Sequence, residues 1–213
     1  MAFKYYPDLE KVKQMSQKAN LVPVYREISA GMDTPVSAYL KVARRPYSFL
    51  LESAEGEEKI ARYSFIGTEP YDVIKTGQGQ PVGSIDPMLP VQKALEPLKV
   101  VEDPNVGRFN GGAVGYLSYE TVKYFEQLPS PKSDPLDLPD SVFMLTTTFL
   151  IYDHVSHKIR IVSHAQMDDG VEKGYRKAIE RIEELVDRLQ QPVNHAQKKS
   201  AAEYETHQHK VVS

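Results

Sequence analysis

The sequence predicts antiparallel strands and helices combined in one mixed chain, and three observations carry that reading. Residues 47–51 and 63–67 are short apolar runs with aromatic character, separated by the polar turn Glu55-Gly-Glu-Glu-Lys59; this is the pattern of a β-hairpin. Residues 142–153 and 158–165 read as two further strands joined by Asp153-His-Val-Ser-His157, a second hairpin. Residues 171–189 place Val171, Tyr175, Ala178, Ile179, Ile182, Leu185, Val186 and Leu189 on one face at helical spacing.

The remaining elements follow in order. Residues 8–19 read as a short charged helix with Asp8 as N-cap and Leu9, Val12 and Met15 on one face. Residues 22–28 alternate like a half-buried strand, with Pro23 near the start, where a missing donor is tolerated. Asp33-Thr-Pro35 supplies a capping side chain and then proline at the first helical position. Val36, Tyr39, Leu40 and Ala43 are expected on that helix's apolar face, and Arg44-Arg-Pro46 ends it as a solvated, dipole-favoured C-terminus. Residues 71–75 continue as a strand, Gly77-Gln-Gly-Gln-Pro81 is read as a turn between strands, and residues 88–95 form a helix closed by Pro97. The long helix carries i,i+4 pairs, Glu172 with Arg176 and Glu184 with Arg188, and ends at Gln190-Gln-Pro192.

The 213 residues are enough for a sizeable core, and 41% hydrophobic with 26% charged residues is ordinary for a soluble globular protein. A net charge of −3 gives no electrostatic case for nucleic acid or an anionic membrane. There is no cysteine, which rules out a disulfide, a thiolate metal site and a cysteine-dependent glutaminase on this chain. The longest apolar run, residues 143–152, is broken by threonines and too short to span a bilayer. The first ten residues lack the apolar core of a signal peptide, so the cytoplasm is the expected location.

The first hairpin carries the chemistry. Its plain reading is two strands and a solvated turn. Its functional reading is a carboxylate (Glu52), a hydroxyl (Ser53) and a cation gathered at one strand end, a set that suits a zwitterion: the carboxylate takes an ammonium, the cation and hydroxyl a carboxylate. Other motifs carry less. The glycines of Arg108-Phe-Asn-Gly-Gly-Ala-Val-Gly-Tyr116 lack dinucleotide spacing and suit a strand or turn under close backbone approach. Tyr116 and Tyr119 read as core. The proline-rich acidic stretch 129–140 reads as a solvated loop, and His154, His157 and His164 as surface residues.

The runs Leu50-Leu-Glu-Ser53 and Arg62-Tyr-Ser-Phe-Ile-Gly67 resemble the N-terminal domain of the anthranilate synthase component I family. So do Pro23-Val-Tyr-Arg-Glu27, Asp33-Thr-Pro-Val36, Pro70-Tyr-Asp72 and Gly111-Gly-Ala-Val-Gly-Tyr-Leu-Ser-Tyr-Glu120, in the same order. The resemblance implies an α+β fold, antiparallel sheet layers with external helices forming part of a β-sandwich. It implies an N-terminal helix in residues 1–20, a regulatory domain over 21–190, and a polar tail or the start of a missing chorismate-binding domain over 191–213. It also implies a feedback site for L-tryptophan. There Glu52 takes the ammonium, Ser53 adds a hydrogen bond, and Arg62, or second Lys59, takes the carboxylate. Adjacent strand residues point to opposite faces, so Glu52 and Ser53 share a pocket only if the strand ends or bulges at Ser53. The complete enzyme would convert chorismate and ammonia to anthranilate and pyruvate, with Mg²⁺ held outside this chain and ammonia from a glutamine amidotransferase subunit. Nothing after Pro192 is expected to match the catalytic half, so the chain is read as an N-terminal segment without catalytic residues. Exposed hairpin strands and an incompletely covered helix 171–189 are expected with it. The corresponding part of aminodeoxychorismate synthase, or a non-catalytic scaffold module, are the alternatives.

Overall fold

The computed structural model describes residues 4–52, 62–107, 109–128 and 138–193. Ser53, Lys59 and the turn around Gly56 lie outside these residues, as do Arg108, residues 129–137 and the histidines at 195, 207 and 209.

The chain runs α1 (Leu9–Met15), β1 (Leu21–Ser29), α2 (Pro35–Val42), β2 (Ser48–Leu51), β3 (Tyr63–Thr68) and β4 (Asp72–Thr76). It continues through α3 (Met88–Leu95), β5 (Gly112–Leu117), a 3₁₀ turn (Tyr119–Tyr124), β6 (Ser141–Thr146), β7 (Thr148–Asp153), β8 (Lys158–Gln166) and α4 (Val171–Gln190). Five strands form one sheet in the order β1-β8-β7-β3-β2, three form another in the order β4-β6-β5, and every pairing is antiparallel. The α+β expectation holds, and both hairpins form, β2 on β3 and β7 on β8.

The larger sheet has two covered faces. On one, Val22, Val24, Ile66, Leu150, Ile159, Ile161 and Ala165 pack against Ala178, Ile182, Leu185, Val186 and Leu189 of α4. The other carries Tyr25, Phe149, Ile151 and Val162 under Val106 and Phe109. Coverage on both sides explains why β1 is buried from Leu21 to Arg26 instead of alternating. Arg26 is buried with it, and its guanidinium meets both carboxylate oxygens of Glu183 on α4 at 2.6 Å. The smaller sheet packs Ile74 and Leu145 against Val91 of α3. No helix of the described residues is long and apolar enough to cross a membrane.

Several expectations are corrected. Residues 142–153 are two strands in different sheets, parted at Thr147, where the Thr146 hydroxyl donates to the Thr148 carbonyl at 2.9 Å. The apolar face of α4 is fully buried rather than left open. α2 buries Pro35, Ala38 and Val42, while Val36 and Leu40 are half exposed; the small residues sit where the helix approaches its neighbours. The turn at residues 77–81 leads to α3, not to a strand. Tyr116 and Tyr119 are exposed, the latter 87%, because β5 is an edge strand whose last residues leave the sheet. Glu172 pairs with Lys13 at 3.1 Å rather than with Arg176.

Candidate functional site

The first hairpin and the β7–β8 turn converge at one end of the larger sheet. In β2–β3, Leu51 faces Phe65, and the same register carried one residue further brings Glu52 opposite Ser64. The Ser64 hydroxyl lies 3.4 Å from Glu52 Oε1 and 2.8 Å from His154 Nε2. β3 also pairs with β7, Ser64 facing Tyr152, so His154 is the diagonal neighbour two residues on, within reach of Ser64 on the same face. The Tyr152 and His154 rings stand 5.0 Å apart, and the Tyr152 hydroxyl donates to the Asp33 carbonyl at 2.8 Å. Ser64 is buried, whereas Glu52 and His154 are exposed, so a buried hydroxyl links two groups open to solvent.

Arg62 precedes β3. Its Nε and one terminal nitrogen donate to the two Asp153 carboxylate oxygens at 3.1 and 2.7 Å, and the guanidinium lies 5.0 Å from the Tyr63 ring centre. Asp153 Oδ1 also accepts from the Val155 and Ser156 backbone N–H groups, closing the β7–β8 turn. Burial alone would raise the Asp153 carboxyl. The Arg62 guanidinium and the two backbone donors overcome that and hold it well below the usual carboxylate range.

Of the four residues named from the sequence, the structure therefore places two. Glu52 stands at the open end of β2 beside Ser64; Arg62 is engaged by Asp153 and keeps its other terminal nitrogen for a further acceptor. Ser53 and Lys59 lie outside the described residues. Ser64 and His154 were not singled out. Ser64 lies inside the Arg62–Gly67 motif, and only the strand register could have drawn attention to it.

A second concavity, about 220 Å³, lies between the sheets and is lined by Leu21, Leu95, Leu98 and Val100, with Asn110 and His164 at its polar side. His164 is buried, against the surface reading, because β8 runs through the middle of the larger sheet. Its Nδ1 faces the Thr147 carbonyl at 2.9 Å and its Nε2 the Asn110 side chain at 3.0 Å, so it fastens the segment before β5 to the strand break. Burial pushes its ionisation down, outweighing the Thr147 carbonyl. Among the described residues no three histidine, aspartate or glutamate side chains converge as a metal ion needs, so they do not fit an Mg²⁺ site.

The chain is similar to known proteins over most of its length. It is 36% identical over 191 residues to anthranilate synthase component 1 of Acetivibrio thermocellus, a match covering 85% of this chain and 39% of that protein. It is also 36% identical over 201 residues to anthranilate synthase component 1 of Saccharomyces cerevisiae, covering 88% and 39%. The crystal structure of anthranilate synthase component I from Streptococcus pneumoniae TIGR4 shares the fold, with a TM-score of 0.52 at 22% identity, covering 78% of this chain and 37% of that one. The chain thus spans about two fifths of the length of these relatives. The family model described as chorismate binding enzyme matches residues 46–212, running past Pro192, where the likeness was expected to stop. A family match over most of the chain, with curated relatives along nearly its whole length, places this protein in the chorismate binding enzyme family.

Proposed function

We propose that this chain is the tryptophan-binding regulatory part of an anthranilate synthase component I. On this reading the whole enzyme converts chorismate and ammonia to anthranilate and pyruvate. The ammonia comes from a glutamine amidotransferase subunit, and the Mg²⁺ ligands lie outside the described residues. The printed names of the relatives support the enzyme. The observation that carries the regulatory reading is Glu52, an exposed carboxylate at an open strand end whose described partner is one hydroxyl at 3.4 Å. Such a carboxylate accepts charge-assisted hydrogen bonds from an amino acid's ammonium. The ligand's carboxylate then goes to the free terminal nitrogen of Arg62 or to Lys59. Bound tryptophan would favour one arrangement of the whole enzyme over another, with a coupling of about 1–3 kcal/mol.

The chain has no tryptophan, so the indole fluorescence of added L-tryptophan reports binding over a background of 13 tyrosines. L-tryptophan is expected to bind the 213-residue chain stereospecifically, and Glu52→Ala to weaken it at least about tenfold, as loss of a charge-assisted bond does. Equal affinity of wild type and Glu52→Ala would overturn the assignment. The chain given chorismate, Mg²⁺ and ammonia is expected to release no pyruvate; release would place catalytic groups here.

A further inference from the structure

Ser64 has one hydroxyl proton and two neighbours that compete for it. Glu52 Oε1 lies at 3.4 Å and can only accept. His154 Nε2 lies at 2.8 Å and either accepts or donates, according to the charge of the ring. When Nε2 is unprotonated it takes the Ser64 proton, and Glu52 is left without that donor. When the ring is an imidazolium, Nε2–H donates to Ser64 Oγ, and the hydroxyl proton turns to Glu52. One protonation at His154 therefore delivers a hydrogen bond and a nearby positive charge to the carboxylate.

We infer that His154, acting through Ser64, sets how strongly Glu52 binds a cationic ligand group, making the site weaker in acid. His154 is a positioning residue here, for it reaches the ligand only through Ser64 and Glu52. The inference rests on the proposed ligand reading for the identity of the cation, an amino acid's ammonium, and on geometry for the coupling itself. The charged and titratable groups around His154 are few. Glu52 comes from the end of β2 and Arg62 from the start of β3, where the Arg62 carbonyl accepts the His154 backbone N–H at 3.0 Å. Asp153 is its chain neighbour and is occupied by Arg62; Tyr152 offers its ring at 5.0 Å, while its hydroxyl is turned to Asp33. Asp153 stays ionised and Arg62 protonated across the range in which an imidazole titrates, so His154 is the group that changes charge there.

Two measurements test this on the 213-residue chain. The first follows the His154 ring by nitrogen-detected NMR against pH in wild type, Glu52→Gln and Ser64→Ala. The Glu52→Gln midpoint should fall below the wild-type one, because the imidazolium loses its carboxylate. Ser64→Ala should show a smaller fall, because the hydroxyl that relays the bond is gone. Coincident wild-type and Glu52→Gln midpoints would overturn the inference, and that result needs no ligand. The second titrates L-tryptophan at about pH 6 and about pH 8, the span in which histidine changes charge. Wild type should bind several-fold more weakly at the lower pH. His154→Gln, which keeps a hydrogen-bonding amide but does not titrate, should bind with the same affinity at both. A pH dependence that survives His154→Gln would overturn the inference. Shifted NMR midpoints with no tryptophan binding at either pH would support the Glu52–Ser64–His154 coupling and overturn the ligand assignment.

Discussion

Gly174→Ala on α4 sets two known effects against each other, and the distances decide between them. Gly174 lies one turn into α4, facing the end of β8. Alanine is the better helix former by about 1 kcal/mol, so propensity alone predicts stabilisation. A Cβ built on Gly174, however, stands 2.0 Å from the Gln166 carbonyl oxygen and 3.0 Å from its carbon. Ordinary contact begins near 3.4 Å, so one partner must retreat by roughly 1.4 Å. Gln166 has little room to give, since it ends β8 and pairs with Leu21. The retreat falls on the helix, whose Ala178, Ile182 and Leu185 are buried against the sheet. A gap of even 0.5–1 Å forfeits roughly a quarter to a half of each dispersion contact, and overpacking strain of this kind costs about 1–3 kcal/mol. Packing wins, and the variant should lose about 1–2 kcal/mol net, lowering Tm by roughly 4 °C in a chain of this length. Urea midpoints and thermal melts followed by circular dichroism measure it, with Lys177→Ala on the exposed face as a control expected within about 0.5 kcal/mol of wild type. A Gly174→Ala protein as stable as wild type, or more so, would refute the reasoning.

Two further outcomes concern the sheet. The Asp153 carboxyl ionises lower in the folded chain than in the unfolded one. Its contribution is therefore present above the ordinary carboxylate range, about pH 4, and is lost as pH falls through the folded value. Urea midpoints taken from about pH 6 down to about pH 3 should fall less steeply in Asp153→Asn than in wild type. Parallel curves would show that the Arg62 pair and the two backbone donors do not stabilise the fold. Leu51, Tyr119, Phe125, Leu128 and Leu138 are exposed apolar residues, Phe125 at 60%, and β2 and β5 end their sheets. Sedimentation velocity should show association that grows with concentration; a single monomer boundary throughout would remove that reading.

Much of the fold is legible in the sequence where local signals suffice. α4 shows its period over five turns, α3 is bounded by its proline, and the β7–β8 hairpin is announced by apolar runs around a polar turn. What escapes local reading is set by distant partners. Thr147 lies within a run that looks continuous; the break depends on β8, whose His164 backbone and ring both reach the Thr147 carbonyl. β1 alternates in sequence yet is buried on both faces, because α4 and the Val106–Phe109 segment arrive from far along the chain. The site follows the same division. Glu52 stands out as a charge ending an apolar strand, but Ser64 and Arg62 take their meaning from His154 and Asp153, about ninety residues on.

The register of β2 against β3 decides whether the site exists at all. A slip by one residue would turn Glu52 to the opposite face and separate it from Ser64. Phe49 and Gly67 hold that register. They face each other across the pair, and a Cβ at Gly67 would sit 2.1 Å from Phe49 Cε1, so the ring rests directly on the glycine backbone. Phe109 then packs edge-on against Phe49, with ring centres 6.3 Å apart, and tilts against Phe65 at 4.9 Å. Any other side chain at 67 would push the ring off and leave a short edge strand of four residues with little to fix its position. Gly67 thus serves the site from three residues away. By letting Phe49 lie flat, it keeps Glu52 opposite Ser64, and through Ser64 within reach of His154.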